Sequence, residues 1–411
     1  MKKVEVLYIQ VPTDGGSATC LLQLLECLDK KHFKPTVLCW YPNRFTEQFI
    51  AAGASVNIFF SKTTPTEQRK PSVGQGTKKP VVWEEKIPRL RNLAISAKLL
   101  VRTLINDGHD IIRLRKYIKT NGFHIIHHNN NLNLNRVAII ASILANVIQF
   151  SHVRFIHSPY LLDCFLSRWV HGFIYMSEAI RDAYESSGIP RGKGIVVYEG
   201  MAPLPPIDSC HLERLRTELG VHGLVLSNIG RLAWWKGQDI FLESVADLRK
   251  TYSGDLTVLV VGPATAGSAG KTFLDRLYKI VGDNKMEDIV RFTGLRSDIP
   301  AILMLSDIVI HSATMPEPFG RVLVEAMMAG KPLIATAAGG PIEIVDHEKT
   351  GLLVTPGSSR AMTSALLRLA TDEQFRTKLG KQARLSALEK YSNTTFIQAI
   401  ETLYNKAIKF L

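Results

Sequence analysis

Long apolar runs are missing from this 411-residue chain: no stretch of about 18 consecutive apolar residues occurs, which argues against a membrane-spanning helix. The opening MKKVEVLYIQVP is too short in its apolar run to be a secretory signal and reads as a first buried strand, so the expectation is a cytoplasmic protein. Cysteine is scarce and unpatterned. Cys20, Cys27, Cys39, Cys164 and Cys210 are odd in number and lack CxxC spacing, which fits reduced thiols and argues against zinc or a disulfide framework. No Asp-x-Asp is present to hold a divalent ion on a diphosphate, so no metal and no cofactor are expected. No repeat recurs at a period of 20 to 50 residues. No basic motif with interleaved aromatics accompanies the charge, which speaks against nucleic acid.

What is present is length, a lopsided charge and a regular alternation. The length suits two α/β domains of ordinary size. The formal charge of +13 is concentrated: Ser61 to Thr120 carries 14 Lys and Arg against 5 Asp and Glu. Within it, Ser61 to Pro80 is polar and rich in Pro, Gly and Lys, and reads as a mobile loop.

Apolar strand patterns alternate with helical ones along both halves. In the first half they fall at Val4–Val11, Thr36–Trp40, Val56–Phe60, Ile125–Ile126, Val153–Ile156, Phe173–Met176 and Ile195–Tyr198. In the second half they fall at Leu224–Ile229, Leu256–Val261, Ile289–Phe292, Ile308–Ile310, Leu333–Ala335 and Leu352–Val354. A Pro-rich stretch, MAPLPPIDSC, separates the halves. The expected organisation is an N-terminal domain over 1–200 with a basic insertion over about 61–120, a linker over 201–210, a C-terminal domain over 211–390 and a terminal helix over 391–411 that could pack back on the first domain. The fold class is α/β, two Rossmann-like doubly wound domains across a cleft.

The most informative segment is EPFGRVLVE, Glu317 to Glu325, followed by Gly-Lys-Pro and Gly-Gly-Pro punctuation. Pro318 suits a first helical turn and Gly330 a stop. Eight helical residues rise about 12 Å, so the two carboxylates cannot share a proton and should reach two ends of one elongated ligand. Backbone N–H groups at Phe319, Gly320 and Arg321 would favour an anion between them. An anionic middle with hydroxyls at both ends describes a nucleotide-sugar.

Three further constellations lie at strand ends. In VPTDGGSATC, Gly15 and Gly16 occupy a strand-to-helix turn and serve either the turn itself or close approach to a phosphate; the third glycine of a dinucleotide fingerprint and the lysine of a P-loop are lacking. In NIGRLAWWKGQD, Arg231 and Lys236 flank a Trp234–Trp235 loop. A cation about 4 Å from a phosphate, at an effective dielectric of about 20, contributes roughly 4 kcal/mol before desolvation, so such a pair could replace a metal. In FHIIHHNNN and VRFIHSPY, His127, His128, Asn129 and His157 end strands, where a histidine binds a sugar hydroxyl or a phosphate or caps the next loop; His128 leans to a structural role.

Taken together, EPFGRVLVE, EAMMAGKPLIATAAGGPIEIV, TGLLVTPG, GRLAWWKGQD, RFTGL, YMSEAI and the early GG loop resemble the retaining GT-B glycosyltransferases of family 4 over nearly the whole chain. The resemblance implies that Glu317, with the backbone of Phe319 and Gly320, holds donor-sugar hydroxyls and that Glu325 holds the ribose. It implies that Arg231 and Lys236 grip the diphosphate, that Gly294 and Leu295 face the base, and that Gly16 approaches the phosphates with His157 beside the sugar. Glu317, Lys236, Arg231 and His157 form the implied catalytic set, and Gly15, Arg321 and Val322 complete the donor surface. His128 and Asn129 lie on the acceptor side. The chain departs from the family at Glu199-Gly200, where many members have Asn-Gly, and at Asn129, where many have His; both bear on hinge and acceptor contacts.

The implied activity is metal-independent, retaining transfer from a UDP-linked sugar to a glycan or lipid-linked acceptor in polysaccharide or glycolipid assembly, with UDP-glucose first by family frequency. A GT-B epimerase of UDP-N-acetylglucosamine and a catalytically silent GT-B scaffold are the rivals. Finally, Ile87, Leu90, Leu93, Ala94, Ala97, Val101 and Leu104 recur at helical spacing among basic residues. The stripe over 83–119 either packs on its own domain or lies on an anionic membrane at the inner face.

Overall fold

The computed structural model describes residues 3–11, 16–41, 44–59 and 89–409. Gly15, the Ser61–Pro80 stretch and the start of the basic stripe up to Pro88 lie outside them. The chain divides into two compact units, Met1–Tyr198 with Phe396–Leu411, and Glu199–Thr395.

The first unit carries seven strands: β1 (Val4–Gln10), β2 (Phe33–Cys39), β3 (Ser55–Ile58), β4 (Ile125–His128), β5 (Ile148–Val153), β6 (Gly172–Tyr175) and β7 (Gly194–Val196). They form one sheet in the order β3-β2-β1-β4-β5-β6-β7, with every pairing parallel. Parallel strands joined through helices are covered on both faces, which is why β1 and β2 read as apolar runs. The strand expected at Val153–Ile156 is displaced to β5. Its Gln149, Ser151 and His152 hide the apolar pattern, yet all three are buried. They are tolerated because they are hydrogen-bonded inside: His128 Nε2 meets Gln149 Oε1 at 2.8 Å, and Ser151 Oγ donates to the Asn130 carbonyl. The terminal helix, Asn393–Ile408, sinks Phe396, Ile397, Ile400 and Tyr404 into this unit's core beside Tyr8 and Phe33.

The second unit carries β8 (Leu224–Ile229), β9 (Leu256–Val261), β10 (Val290–Gly294), β11 (Ile308–His311), β12 (Leu333–Thr336) and β13 (Leu352–Val354). Their order is β10-β9-β8-β11-β12-β13, again parallel throughout. Strand order reverses direction between β8 and β11, so the connections leaving these two neighbours diverge and open a crevice at their carboxyl ends. The first sheet has the same switch between β1 and β4. Both units are therefore doubly wound and Rossmann-like, the α/β class that the alternation predicts.

Residues 199–208 run without regular structure before the helix Ser209–Glu218, which Asp208 caps by accepting from the Cys210 N–H. Helix formation thus begins within the stretch expected as linker.

Candidate functional site

The switch point of the second sheet gathers the charged residues that the sequence singles out. After β8 the chain makes a short 3-10 turn, Trp234–Lys236, and closes it on Gly237, whose φ is 66°. A Cβ there would lie 2.0 Å from the Ser312 carbonyl oxygen, so only glycine allows the turn to press against the end of β11. Ser312 Oγ donates to the Lys236 carbonyl at 2.8 Å, and Asn228 Nδ2 donates to Ser312 Oγ at 2.9 Å. Lys236 is fixed by these bonds at its own backbone.

Glu317 is held from the other side. Its N–H donates to the Ala338 carbonyl and its carbonyl accepts from Gly340 N–H at 2.8 Å. Gly339 (φ 73°) passes so close that a Cβ would sit 2.3 Å from the Glu317 carbonyl oxygen, and one on Gly340 would sit 2.5 Å from that of Phe319. The Gly-Gly pair is a backbone clamp on Glu317–Phe319, with the Phe319 ring buried edge-on against Tyr391.

Between the two supports the side chains meet. Lys236 Nζ donates to Glu317 Oε2 at 2.5 Å, and His311 Nε2, at the end of β11, lies 3.6 Å from the same oxygen. The carboxylate is 18 % exposed and the lysine 26 %. Burial alone pushes Glu317 up, but the His311 side chain and the Lys236 charge together hold it at about 2. Glu317 is therefore a permanent carboxylate. His311 is the residue that sequence reasoning passed over; the strand-end rule that singled out His157 applies equally to it.

The geometry of the Glu-x7-Glu motif differs from expectation. The helix is Arg321–Met328, capped at Gly320 with φ 104°, so Pro318 precedes it and only five of the nine motif residues are helical. The bridge between Glu317 and Gly339 draws the first residues into extended backbone instead. Arg321 bonds Glu199 Oε2 at 2.9 Å and approaches Glu325 Oε1 at 3.7 Å. Burial raises the Glu325 carboxyl, with Arg321 opposing and Glu199 adding to the rise. Val322 follows on the same first turn. Glu199, noted only as a departure, is thus the buried partner of the motif's arginine.

Other expected residues are brought together less closely. The Arg231 side chain is exposed and makes no ion pair with any described residue, so it is not joined to Lys236. Gly294 ends β10 with φ 67°, and its carbonyl accepts from Gly262 N–H at 2.9 Å; Leu295 beside it is 77 % exposed.

In the first unit, Gly16 opens the helix Gly16–Cys27 at the β1–β4 switch, and a Cβ there would meet nothing within 4 Å. His128 and Asn129, expected toward an acceptor, are both fully buried. His128 is held by Gln149, and burial lowers it to about 4. Asn129 donates to Gln10 Oε1 at 2.6 Å and to the Ser17 carbonyl, and accepts from Arg154. The bonded atoms, His128 Nε2 and the Asn129 amide, are paired inside the core, while the buried His128 Nδ1 has no hydrogen-bond partner among the described residues. His157 lies in the loop after β5 rather than at a strand end. It is partly buried with its ring 5.9 Å from Tyr160, its Nε2 has no hydrogen-bond partner among the described residues, and burial lowers its pKa. Among the described residues no group of three or more His, Cys, Asp or Glu could hold a metal ion.

Residues 217–386 match the family model for glycosyl transferases group 1. That match, which lies within the second unit and spans under half of the chain, makes this part similar to the group 1 glycosyl transferases. Among curated members, a D-inositol 3-phosphate glycosyltransferase of Corynebacterium kroppenstedtii is 32 % identical over 203 residues, 48 % of this chain and 44 % of that one. An N-acetyl-alpha-D-glucosaminyl L-malate synthase of Bacillus anthracis is 30 % identical over 133 residues, covering 32 % of this chain and 35 % of that one. The chain thus spans under half the length of these curated relatives. Over whole structures, Anabaena HepE solved in complex with UDP is 25 % identical, with a TM-score of 0.77 over 98 % of this chain and 100 % of that one. A glycosyltransferase from Rickettsia africae superposes with a TM-score of 0.80 at 17 % identity over the full length of both. These neighbours share the GT-B fold; the motifs from GRLAWWKGQD to TGLLVTPG lie within the matched residues 217–386, whereas YMSEAI and the early GG loop lie outside them.

Proposed function

We propose that the protein is a metal-independent, retaining glycosyltransferase that takes a sugar from a UDP-sugar and passes it to a glycan or lipid-linked acceptor. The observation that carries this reading is the Lys236–Glu317–His311 cluster at the β8–β11 switch point, where a backbone-fixed ammonium and a permanently ionised carboxylate converge. A sugar–diphosphate ligand offers a partner to each: phosphate oxygens to Lys236, with Arg231 available from solvent, and hydroxyls to Glu317. The Phe319 and Gly320 backbone would add contacts to the sugar and Glu325 would take the ribose. As the bond from the anomeric carbon to the diphosphate breaks, charge gathers on the leaving UDP, and fixed cations stabilise that charge. The acceptor hydroxyl then bonds the same face and passes its proton to the departing phosphate oxygen, and configuration is kept.

UDP-glucose is the first donor to test, because Anabaena HepE has been solved with UDP-glucose. Thermal unfolding should be measured against UDP-glucose, UDP-galactose, UDP-N-acetylglucosamine and a GDP-sugar. A ligand at about 100 times its dissociation constant adds about 2.7 kcal/mol to the native state. The expected outcome is a rise with UDP-sugars, unchanged by EDTA and abolished in Lys236→Ala. If no nucleotide-sugar raises the Tm, the reading is wrong.

A further inference from the structure

The helix Arg89–Asn121 faces the wrong way for a core helix. Over its first half the positions turned into the unit are polar: Ser96, Thr103 and Asp110 are buried. Asn92 and Ser96 are used there to finish a neighbouring helix, Leu161–Leu166, whose first N–H groups donate to Asn92 Oδ1 at 3.0 Å (Leu161) and to Ser96 Oγ at 3.2 Å (Leu162). The apolar positions consequently point outward. Leu93, Leu100, Val101, Leu104, Ile105 and Ile112 share one arc at about 100° per residue and are all exposed, Ile105 by 76 % and Ile112 by 66 %. Only past Asp110 does the helix bury apolar residues, Ile111, Leu114 and Ile118. The option left open by the sequence, that the stripe packs on its own domain, does not hold for the described residues.

We propose that this outward stripe is a docking face for an anionic lipid surface. Charge chooses that occupant. Lys98, Arg102 and Lys116, all exposed, border the apolar arc on one side. The helix carries eight Lys and Arg but only two acidic residues: Asp107 borders the other edge of the arc, beside Leu100, and Asp110 is buried on the inner side. An apolar stripe edged by cations matches acyl chains beneath anionic headgroups. A second copy of this chain would set the same cations against one another. The face is formed within the first unit and uses no residue of the Lys236–Glu317 cluster, so it stands or falls separately from the glycosyl-transfer reading.

Co-sedimentation of the full chain with vesicles, without donor or acceptor, tests it. Each cation near an anionic surface is worth roughly fivefold in partitioning, so three give about a hundredfold preference for phosphatidylglycerol–phosphatidylcholine vesicles over phosphatidylcholine alone, weakening as salt rises. Lys98→Glu/Arg102→Glu should remove most of that preference. Val101→Ser/Ile105→Ser should cut binding about tenfold without lowering the Tm, because these side chains touch solvent. Equal binding to neutral vesicles, or wild-type binding in both variants, overturns the proposal. A wild-type dimer that Val101→Ser/Ile105→Ser converts to monomer, with no vesicle binding, assigns the face to a second copy. A lowered Tm in that variant, without vesicle binding, assigns it to the chain's own residues.

Discussion

Glu317 is the residue whose charge state can be read most directly. Its folded pKa, about 2, lies below the usual 4.5, so its ionised form contributes stability above about pH 4.5 that is lost as pH falls toward 2. The contribution is about 3 kcal/mol. Glu317→Gln should flatten the acid limb of stability over that window, seen in denaturant unfolding at stepped pH; an unchanged limb would mean that Lys236 and His311 do not hold the carboxylate down. For function, Glu317→Ala or Lys236→Ala is expected to lower UDP-sugar turnover by a hundredfold or more while leaving the circular dichroism intact. Gly16 separates two readings of the early glycine loop. Its absent Cβ meets nothing, so Gly16→Ala should leave stability within about 1 kcal/mol. A fall in turnover in that stable variant would indicate phosphate approach; full activity would leave the glycine to the turn. The carboxylates, the lysine and the glycines were all legible in sequence because their types and spacing announce the chemistry. His311 was not, since a lone histidine after three apolar residues looks like the end of a buried strand, which it also is.

At the scale of elements, the site is made by two tight backbone contacts more than by the helix expected to carry it. Gly237 against Ser312 sets Lys236, and Gly339 against Glu317 sets the carboxylate. Gly339→Ala combines a left-handed backbone, costing about 1–2 kcal/mol, with a 2.3 Å overlap against a carbonyl. It should destabilise by more than about 2 kcal/mol and also abolish the nucleotide-sugar thermal shift at temperatures where the protein remains folded; destabilisation with an intact shift would show that the clamp does not position Glu317. The strands of the second sheet were legible almost residue by residue, because β9 and β13 are largely apolar runs and β8 opens on three apolar residues and closes on Ile229, each bounded by turn residues. β5 was not, because its buried Gln149, Ser151 and His152 carry the pattern of a loop. The short reach of the Glu-x7-Glu helix was hidden for a related reason: the bridge that straightens Glu317–Phe319 comes from Gly339, some twenty residues further along the chain.

Across the whole molecule the two units carry different titrating groups in their interiors. The first buries His127, His128 and His152, and burial lowers all three, His127 and His152 with the Arg154 charge adding. A base whose folded pKa is depressed favours unfolding once the unfolded chain takes up protons, so this unit should weaken as pH falls below about 6.5. The second unit's acid sensitivity, through Glu317, should begin only below about 4.5. Hydrogen exchange at pH 5 against pH 7 is therefore expected to show protection falling first around β1, β4, β5 and the Asn393–Ile408 helix, whose Tyr404 hydroxyl bonds His127 at 2.6 Å. Parallel loss in both units would refute the assignment. The sequence by itself determined the doubly wound class and the identities of the charged residues, because strand periodicity, turn glycines and motif spacing are local properties of the chain. Only the tertiary structure decided which of those residues meet, that His128 and Asn129 belong to the core, and that the Arg89–Asn121 helix turns its apolar arc outward. Contact, burial and helix orientation depend on partners distant in sequence, and no local pattern records them.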